Sequence, residues 1–377
     1  MATVETVNES CIVYSYREFL GLFRRGKKRA LLSYLAQPVI DSMSGKEITR
    51  FSNSGIVISW ARVLNELGYI VDVINWDDRN FKPVRPYDLV IFHGGKNFEK
   101  IYKNLHGKPK IIHFLTGSYW KFNNEGEDRR RADFKRRHGI ETPRDRYIYA
   151  NEDPVNRAAD LIIVLGDPSM KQTYKQYDNV TTINNASYPD EHFDKVNKDY
   201  SKARNNFLFF AGSGNIHKGL DLLIDAFKNL EEHLYIVTVP DKQVLDTFKK
   251  ELNLPNIHLI GQVNMRDPKF YEIMDKCAFV ILPSCSEGQA GSVVEAMNQG
   301  LIPIVSKETR LDTRGYGVIL AGNTIPCIKK TVNKLSRMTA DDVNKMSIRT
   351  RKIAVKQHSP EKFRDNLKTA VLQIINT

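Results

Sequence analysis

The sequence predicts an α/β fold of two doubly wound, Rossmann-like parallel-sheet domains with a C-terminal helical tail. The chain has 377 residues, a length typical of two domains. Short apolar runs of strand length alternate with segments of helical periodicity, as in parallel α/β sheets. The alternation occurs twice, on either side of a polar stretch at residues 187–206. We therefore expect domains at residues 1–200 and 203–357, with a helix at about 358–377 that packs back on the first.

The first domain is predicted from six apolar runs that indicate buried strands. They lie at residues 30–35, 70–76, 88–92, 110–115, 161–165 and 181–184. A helix between the first two, at residues 56–67, has apolar residues at helical spacing and ends at Gly68. Two later strands open onto His93-Gly94-Gly95 and Thr116-Gly117. Ligands of doubly wound sheets bind beyond the carboxyl ends of the strands, so these loops are candidate ligand contacts.

The second domain repeats the pattern. Its predicted strands lie at residues 207–210, 234–239, 257–260, 277–282, 302–305 and 316–320, and its predicted helices at 220–230, 243–250, 268–276 and 292–299. Residues 325–377 are predicted to be helical. This order again indicates a parallel sheet with crossover helices.

Composition narrows the class of protein and of partner. The chain is 41% hydrophobic and has no apolar run near the roughly 20 residues that a membrane helix needs. The N-terminus lacks the pattern of a signal peptide, and the four cysteines are scattered, so we expect a cytoplasmic protein without disulfides. The net charge of +12 favours an anionic partner: a nucleotide, a phospholipid headgroup, a polyanionic glycan or nucleic acid.

Two basic segments leave alternatives open. Residues 20–29 have three large apolar residues beside five basic ones, which fits either a contact with an anionic membrane surface or an N-terminal helix on the domain edge. Residues 123–146 include six arginines and lysines between Arg129 and Arg137. This segment fits a solvated helix or mobile loop, or a basic lip for a phosphate-bearing acceptor.

The stretch at residues 283–305 is the first candidate site. A buried strand leads into a loop with Gly288 and Gly291, and a helix follows. Its free backbone N–H groups and helix dipole favour an anion. The carboxylates Glu287 and Glu295 frame it and suit the hydroxyls of a phosphorylated, hydroxyl-rich molecule such as a nucleotide sugar. The alternative is an ordinary crossover with solvated glutamates.

A glycine-rich turn at residues 209–219 is the second candidate site. Gly212, Gly214 and Gly219 allow close approach of a ligand to the backbone. Lys218 lies at the start of the next helix, where a cation is unfavourable unless an anion neutralises it. The spacing matches neither the dinucleotide fingerprint nor the P-loop, which argues against NAD and ATP. Both turns follow strands of one sheet, so Lys218 and Glu287 can share one crevice.

These two loops carry a family resemblance. Glu287 and Glu295, with seven residues between them, resemble the E-x7-E motif of the retaining GT-B glycosyltransferases of family four, also called glycosyl transferases group 1. The glycine-lysine turn is similar to that family's other donor-domain motif, and the likeness covers about 207–305. It implies two domains that face a central cleft: an acceptor-side domain at 1–200 and a nucleotide-sugar donor domain at 203–357.

The resemblance implies roles for individual residues. Glu287 contacts the donor sugar near the reacting carbon, Lys218 neutralises the leaving diphosphate, and Glu295 holds the ribose hydroxyls. The implied donor-binding set is Gly212, Ser213, Gly214, Gly288, Gln289, Ala290, Gly291, Ser292 and Glu295. A histidine that lines the sugar pocket is His93 or His113, and a hydrogen-bonded core position is the alternative for His113. Thr116 and Gly117 are acceptor-side candidates.

One departure concerns the diphosphate. Family members often carry an arginine just after the glycine of the first turn, where this chain has Ser213-Gly214. Either Ser213 and backbone N–H groups hold the phosphate, or the activity is weaker or the donor atypical.

The implied function is retaining sugar transfer from a nucleotide-diphosphate sugar to a glycan or lipid-linked glycan, as in polysaccharide biosynthesis. The resemblance also implies a same-face mechanism without a metal, and no D-x-D, which would indicate a metal-bound diphosphate, stands beside the donor loops. A lipid-linked acceptor would place the protein at the inner face of a membrane. Two alternatives stay open: transfer to nucleic acid, and a non-catalytic GT-B protein that binds a glycan or a partner.

Overall fold

The structure is a computed structural model that describes residues 2–3, 6–8, 11–16, 28–46, 48 and 50–376. The chain divides into two compact units. Unit 1 comprises Met1–Thr116, Tyr149–Asn184 and Pro360–Thr377, and unit 2 comprises Gly117–Ile148 and Asn185–Ser359. The predicted boundaries at 200 and 203 differ from these units, because residues 117–148 and 185–200 pack within unit 2.

Unit 1 is built on a mostly parallel sheet. Its strands are β1 (Ala2–Thr3), β2 (Thr6–Asn8), β3 (Cys11–Tyr16), β4 (Lys28–Tyr34), β5 (Tyr69–Asn75), β6 (Leu89–His93), β7 (Lys110–Leu115), β8 (Leu161–Leu165) and β9 (Val180–Ile183). The order is β1-β3-β5-β4-β6-β7-β8-β9, and β2 pairs with β3. The six strands β4 to β9 are parallel to one another, which confirms the predicted sheet. Strand β3 pairs with β5 in the antiparallel direction, which the sequence did not predict.

Helices cover the sheets of both units. They are α1 (Gln37–Met43), α2 (Asn53–Glu66), α3 (Phe98–Lys103), α4 (Trp120–His138), α5 (Asp153–Ala158), α6 (His192–Lys195), α7 (Tyr200–Ala203), α8 (Leu220–Phe227), α9 (Lys242–Thr247), α10 (Pro268–Lys276), α11 (Gly291–Asn298), α12 (Ile325–Ser336), α13 (Ala340–Gln357) and α14 (Pro360–Ile375). Within unit 1, α14 packs on α2: Phe363 meets the ring of Phe51 at 5.2 Å between centroids, and Lys368 pairs with Glu66 at 3.1 Å. No helix among the described residues is long and apolar enough to cross a membrane.

Unit 2 is built on a six-stranded parallel sheet. Its strands are β10 (Asn206–Phe210), β11 (His233–Val237), β12 (Ile257–Leu259), β13 (Phe279–Leu282), β14 (Ile302–Val305) and β15 (Val318–Ile319), in the order β12-β11-β10-β13-β14-β15. The apolar run of β13 is fully buried, as expected of a strand covered on both faces. Since β10 and β13 are neighbours, the loops after them lie side by side at one edge of the sheet.

The basic segment at 123–146 is a helix over most of its length. Arg129, Lys135 and Arg136 are exposed, as a solvated helix predicts, but the other arginines of the helix are largely buried. Most of it forms α4, which packs on α8 within unit 2. Arg137 donates hydrogen bonds to the carboxylates of Asp221 and Asp225, and Arg130 lies 3.9 Å from Asp221. Only 11% of the Arg137 side chain is exposed, so these are buried ion pairs. Of the other basic segment, residues 20–27 lie outside the described residues.

Candidate donor-binding site

Two loops of unit 2 are joined directly by their backbones. The amide of Cys285 donates to the carbonyl of His217 at 3.0 Å. Gly219 has a φ of +83°, and a Cβ there would lie 2.7 Å from the carbonyl oxygen of Pro283, so only glycine fits at this contact. The turn itself leaves Gly212 and Ser213 exposed to solvent. The side-by-side placement of the two loops that the sequence predicted is therefore present.

Lys218 and Glu287 form an ion pair where the loops meet. The Lys218 Nζ lies 2.6 Å from Glu287 Oε1, and each side chain is about 10% exposed. The hydroxyl of Ser284 donates to the same oxygen at 3.1 Å. Burial alone would raise the pKa of Glu287, but the positive charges of Lys218, His217 and Arg146 outweigh it and hold the pKa below its usual value. Glu287 is therefore ionised at neutral pH.

The loop after Glu287 is fixed in a strained conformation. Gln289 has a φ of +61°, which is unfavourable for a residue with a side chain. Its side-chain oxygen accepts a hydrogen bond from the backbone amide of Asn185 at 2.5 Å, and its backbone carbonyl accepts one from the side chain of Asn185 at 3.0 Å. The hydroxyl of Ser118 also donates to the carbonyl of Glu287 at 2.9 Å. These bonds hold the loop in a shape that the chain alone disfavours.

Helix α11 begins at this loop without a side-chain cap. Its N-cap residue is Ala290, which has no side-chain acceptor, and Gly291 and Ser292 in the first turn are half-buried. Backbone N–H groups at an uncapped helix start suit an anion or hydroxyl oxygens. One turn into the helix, Glu295 is buried and accepts a hydrogen bond from Ser187, while Arg266 lies 3.8 Å from its other oxygen.

Arg146 brings a second cation to the glycine-rich turn. Its Cγ and Cδ atoms lie 2.7 and 2.8 Å from where a Cβ on Gly214 would stand, and Gly214 has a φ of +87°. The aliphatic part of Arg146 therefore rests on the bare backbone of this glycine. Its charge acts on Glu287, and the residue is exposed to solvent. Arg146 is not among the site residues predicted from the sequence, although it lies at the end of the segment 123–146 that could form a basic lip.

Two asparagines of α4 position Arg146. The side chain of Asn123 donates to the carbonyl of Arg146 at 2.8 Å. Asn124 both accepts from the amide of Ile148 and donates to its carbonyl, each at 2.8 Å. Both asparagines are buried, so their bonds hold the irregular segment at 146–148 against the helix.

Comparison with known proteins finds similarity in the same part of unit 2. Residues 192–312, which contain both loops, match the family described as Glycosyl transferases group 1. An uncharacterized glycosyltransferase of Methanocaldococcus jannaschii is 29% identical over 162 residues. That alignment covers 42% of this chain and 44% of the relative, which is less than half of either protein.

Two solved structures resemble nearly the whole chain. Sucrose-phosphate synthase from Thermosynechococcus elongatus superposes with a TM-score of 0.63 at 12% identity, covering 93% of this chain and 100% of that chain. HepE of Anabaena, solved in complex with UDP and glucose, gives a TM-score of 0.56 at 12% identity, again covering 93% of this chain and 100% of that chain. The fold is GT-B. The predicted fold class is thereby confirmed, and the group 1 match supports the prediction of a glycosyltransferase.

His217 lies behind the Lys218–Glu287 ion pair of unit 2 as a buried cation. Its Nδ1 lies 2.6 Å from Glu127 Oε2, and its Nε2 lies 2.7 Å from the carbonyl oxygen of Ser286. Both partners can only accept, so both ring nitrogens carry protons. Burial alone would lower the pKa of His217, but hydrogen bonds with Cys285 and Glu127 raise it to about 9.

Glu127, His217 and Cys285 could in principle hold a metal ion, since their ligand atoms lie within 4.8 Å of one another and all three residues are buried. The hydrogen bonds of His217 occupy both of its ring nitrogens, and Arg131 lies 2.9 Å from Glu127. A metal would have to displace a proton and face that cation. The arrangement therefore fits a hydrogen-bonded network better than a metal centre.

The protonation of His217 predicts a pH-dependent stability. The folded state keeps the proton up to about pH 9, whereas an unfolded histidine loses it near its ordinary value of 6.5. Between these values the folded state holds more protons, so the free energy of unfolding should fall as pH rises, by up to ~1.4 kcal/mol per pH unit. His217→Gln should flatten this slope in urea unfolding at several pH values. The control His106→Gln, at an exposed position, should show the same pH dependence as the wild type. Equal slopes for His217→Gln and the wild type would contradict the assignment of a buried, protonated His217.

The candidates from the first domain lie in unit 1, except Gly117, which opens unit 2. His93 ends β6; its Nδ1 donates to the carbonyl of Phe114 at 3.0 Å, and burial lowers its pKa to about 4. It is therefore neutral, with Nε2 as an acceptor. His113 is 0% exposed and donates to Asn156 at 2.7 Å, which favours the core alternative for this residue over a catalytic role. Thr116 and Gly117 are half-buried beyond the end of β7.

Proposed function

We propose that this protein is a retaining glycosyltransferase that moves a sugar from a nucleotide-diphosphate sugar to a glycan or lipid-linked glycan. The observation that carries the proposal is the Lys218–Glu287 ion pair at 2.6 Å, set between a glycine-rich turn and an uncapped helix start within the group 1 segment. It joins a cation for a diphosphate to a carboxylate for sugar hydroxyls. The protein would act in the cytoplasm, at a membrane face when the acceptor is lipid-linked.

The proposed reaction uses side chains and backbone groups of unit 2 and no metal. The bond between the anomeric carbon and the diphosphate oxygen breaks, and the acceptor oxygen bonds to that carbon on the same face. The acceptor's proton passes to the leaving diphosphate oxygen. Lys218 and Arg146 offset the charge that builds on the diphosphate, together with the backbone N–H groups at the start of α11.

In this proposal, Arg146 replaces the arginine that family members often carry at the position of Ser213-Gly214. Lys218 is matched by Glu287, so these two side chains together bring no net charge to a diphosphate. The described residues include no hydrogen-bond or ion-pair partner for the Arg146 guanidinium, which leaves its charge available. We assign Arg146 as the second diphosphate cation, supplied from the segment after α4 instead of from the turn.

Glu295 is the proposed ribose contact. Its carboxylate already accepts from Ser187, but a carboxylate has about four acceptor positions, so it can also accept from a ribose hydroxyl. Gln289, Ala290, Gly291 and Ser292 would contribute backbone N–H groups, and Gly212 and Gly288 would allow close approach.

The test is a ligand screen followed by an acceptor assay. A ligand that binds only the folded state raises its stability by about 2.7 kcal/mol at 100 times its Kd, so thermal shift should identify the nucleotide among UDP, GDP and their sugars. UDP and UDP-glucose come first, since HepE of Anabaena was solved with UDP and glucose. Transfer to an added glycan should exceed hydrolysis of the donor. Binding without transfer or hydrolysis would instead support a non-catalytic protein, and no nucleotide binding would overturn the proposal.

A further inference from the structure

Unit 1 contains a cavity at the point where its strand order reverses. From β4 the chain passes to β5 on one side and then to β6 on the other, and both pair with β4 in parallel. Ligands of doubly wound sheets bind outside the carboxyl ends of the strands at such a switch point. A cavity of about 730 Å³ lies here. It is lined by residues 95–100 after β6, by Arg79, and by Lys103, Asn104, Ala150, Asn151, Pro154 and Val155.

The cavity lining is strongly basic. The lining contains one carboxylate, that of Glu99, and four cationic side chains, those of Arg79, Lys96, Lys100 and Lys103. The carboxylate lies 3.9 Å from Lys103, so it offsets only that lysine. Lys96 is held over the ring of Trp76, with its Nζ 4.5 Å from the ring centroid. Three cations therefore remain without an acidic partner in the lining, and such a surface favours an anion.

A buried amide gives the same cavity a polar anchor. Asn97 is 2% exposed, and its side-chain nitrogen donates to the hydroxyl of Ser33 at 2.8 Å and to the carbonyl of Asn75 at 3.2 Å. Because the carbonyl can only accept, these bonds fix which amide atom is nitrogen. The amide oxygen is buried without a hydrogen-bond partner among the described residues. A buried acceptor without a hydrogen bond costs folding free energy, and the hydroxyl of a bound ligand would supply the missing hydrogen bond.

We infer that this cavity binds a phosphate-bearing sugar, with the phosphate on Lys96 and Lys100 and a hydroxyl on the amide oxygen of Asn97. The inference rests on the proposed function, in which unit 1 is the acceptor side, and it specifies that the acceptor carries a phosphate. That phosphate belongs either to a soluble sugar phosphate or to a phosphorylated lipid headgroup.

The experiment compares two double variants of equal charge. Lys96→Ala/Lys100→Ala removes cations from the cavity, whereas Lys108→Ala/Lys171→Ala removes exposed lysines of unit 1 that do not line it. Calorimetry with glucose 6-phosphate, without nucleotide, should give binding to the wild type and to the control pair. The cavity pair should lose about tenfold or more in affinity, as expected for charge-assisted contacts. Neutral glucose should bind much more weakly than its phosphate.

A second arm separates the two sources of phosphate. If the phosphate belongs to a lipid headgroup, the wild type should co-sediment with phosphatidylcholine vesicles that contain phosphatidic acid. The Lys96→Ala/Lys100→Ala variant should then stay in the supernatant. Binding of neither probe, or equal losses in both double variants, would overturn the inference. Since no nucleotide is present, that failure is distinguishable from a negative nucleotide screen, which would overturn the proposed function.

Discussion

Replacing Glu287 by glutamine is expected to lower the transfer rate by roughly 100-fold or more, while the nucleotide still binds. As the diphosphate leaves, positive charge develops at the anomeric carbon, and the carboxylate of Glu287 would lie beside it. Glutamine keeps the shape and the hydrogen bond from Ser284 but loses the charge. The measurement is the rate of sugar transfer at saturating donor, with the Kd of the nucleoside diphosphate measured in parallel.

Stability has to be separated from catalysis in this variant. Lys218 is 8% exposed, and removing its partner leaves a buried, uncompensated cation, a change that costs about 3–5 kcal/mol in typical buried pairs. The double variant Lys218→Met/Glu287→Gln removes both charges and should recover most of the lost stability without recovering transfer. Near-normal transfer in Glu287→Gln would refute the proposed role of this carboxylate.

Most of the sheet architecture could be predicted from the sequence because its strands are short, apolar and buried on both faces. The predicted strands at 110–115 and 161–165 coincide with β7 and β8. The two glycine-containing loops of the candidate site could also be placed, since each follows a strand and strands β10 and β13 are neighbours in the sheet. In both cases a local pattern determines the structure.

The features that the sequence did not predict depend on contacts between distant segments. The charges of α4 were compatible with a solvated helix, because nothing within 123–146 indicates that Arg137 meets Asp221, which lies 84 positions away. The position of Arg146 depends likewise on Asn123 and on the missing side chain of Gly214. The antiparallel strand β3 begins at Cys11, in an N-terminal segment for which the sequence predicted no strand.

Replacing Arg146 by alanine is expected to weaken binding of the nucleoside diphosphate by roughly ten- to a hundredfold, the range for a charge-assisted hydrogen bond of about 1.5–3 kcal/mol. The loss should concern the diphosphate alone. Calorimetry should therefore show the large change for the nucleoside diphosphate and almost none for the matching nucleoside. Because Arg146 is exposed to solvent, the difference between variant and wild type should also shrink as salt concentration rises.

Arg144→Ala is the matched control for this prediction. Arg144 lies two residues away, pairs with Asp128 at 2.7 Å and lies over the ring of Tyr147, with its guanidinium carbon 4.7 Å from the ring centroid. Its removal changes the net charge by the same amount but takes no cation from Gly214, so the Kd should stay near that of the wild type. Arg146→Lys should recover part of the affinity, because lysine keeps the charge without the planar donor fork. Equal effects of Arg144→Ala and Arg146→Ala would show that net charge alone attracts the diphosphate, and the second cation would then have to be sought elsewhere.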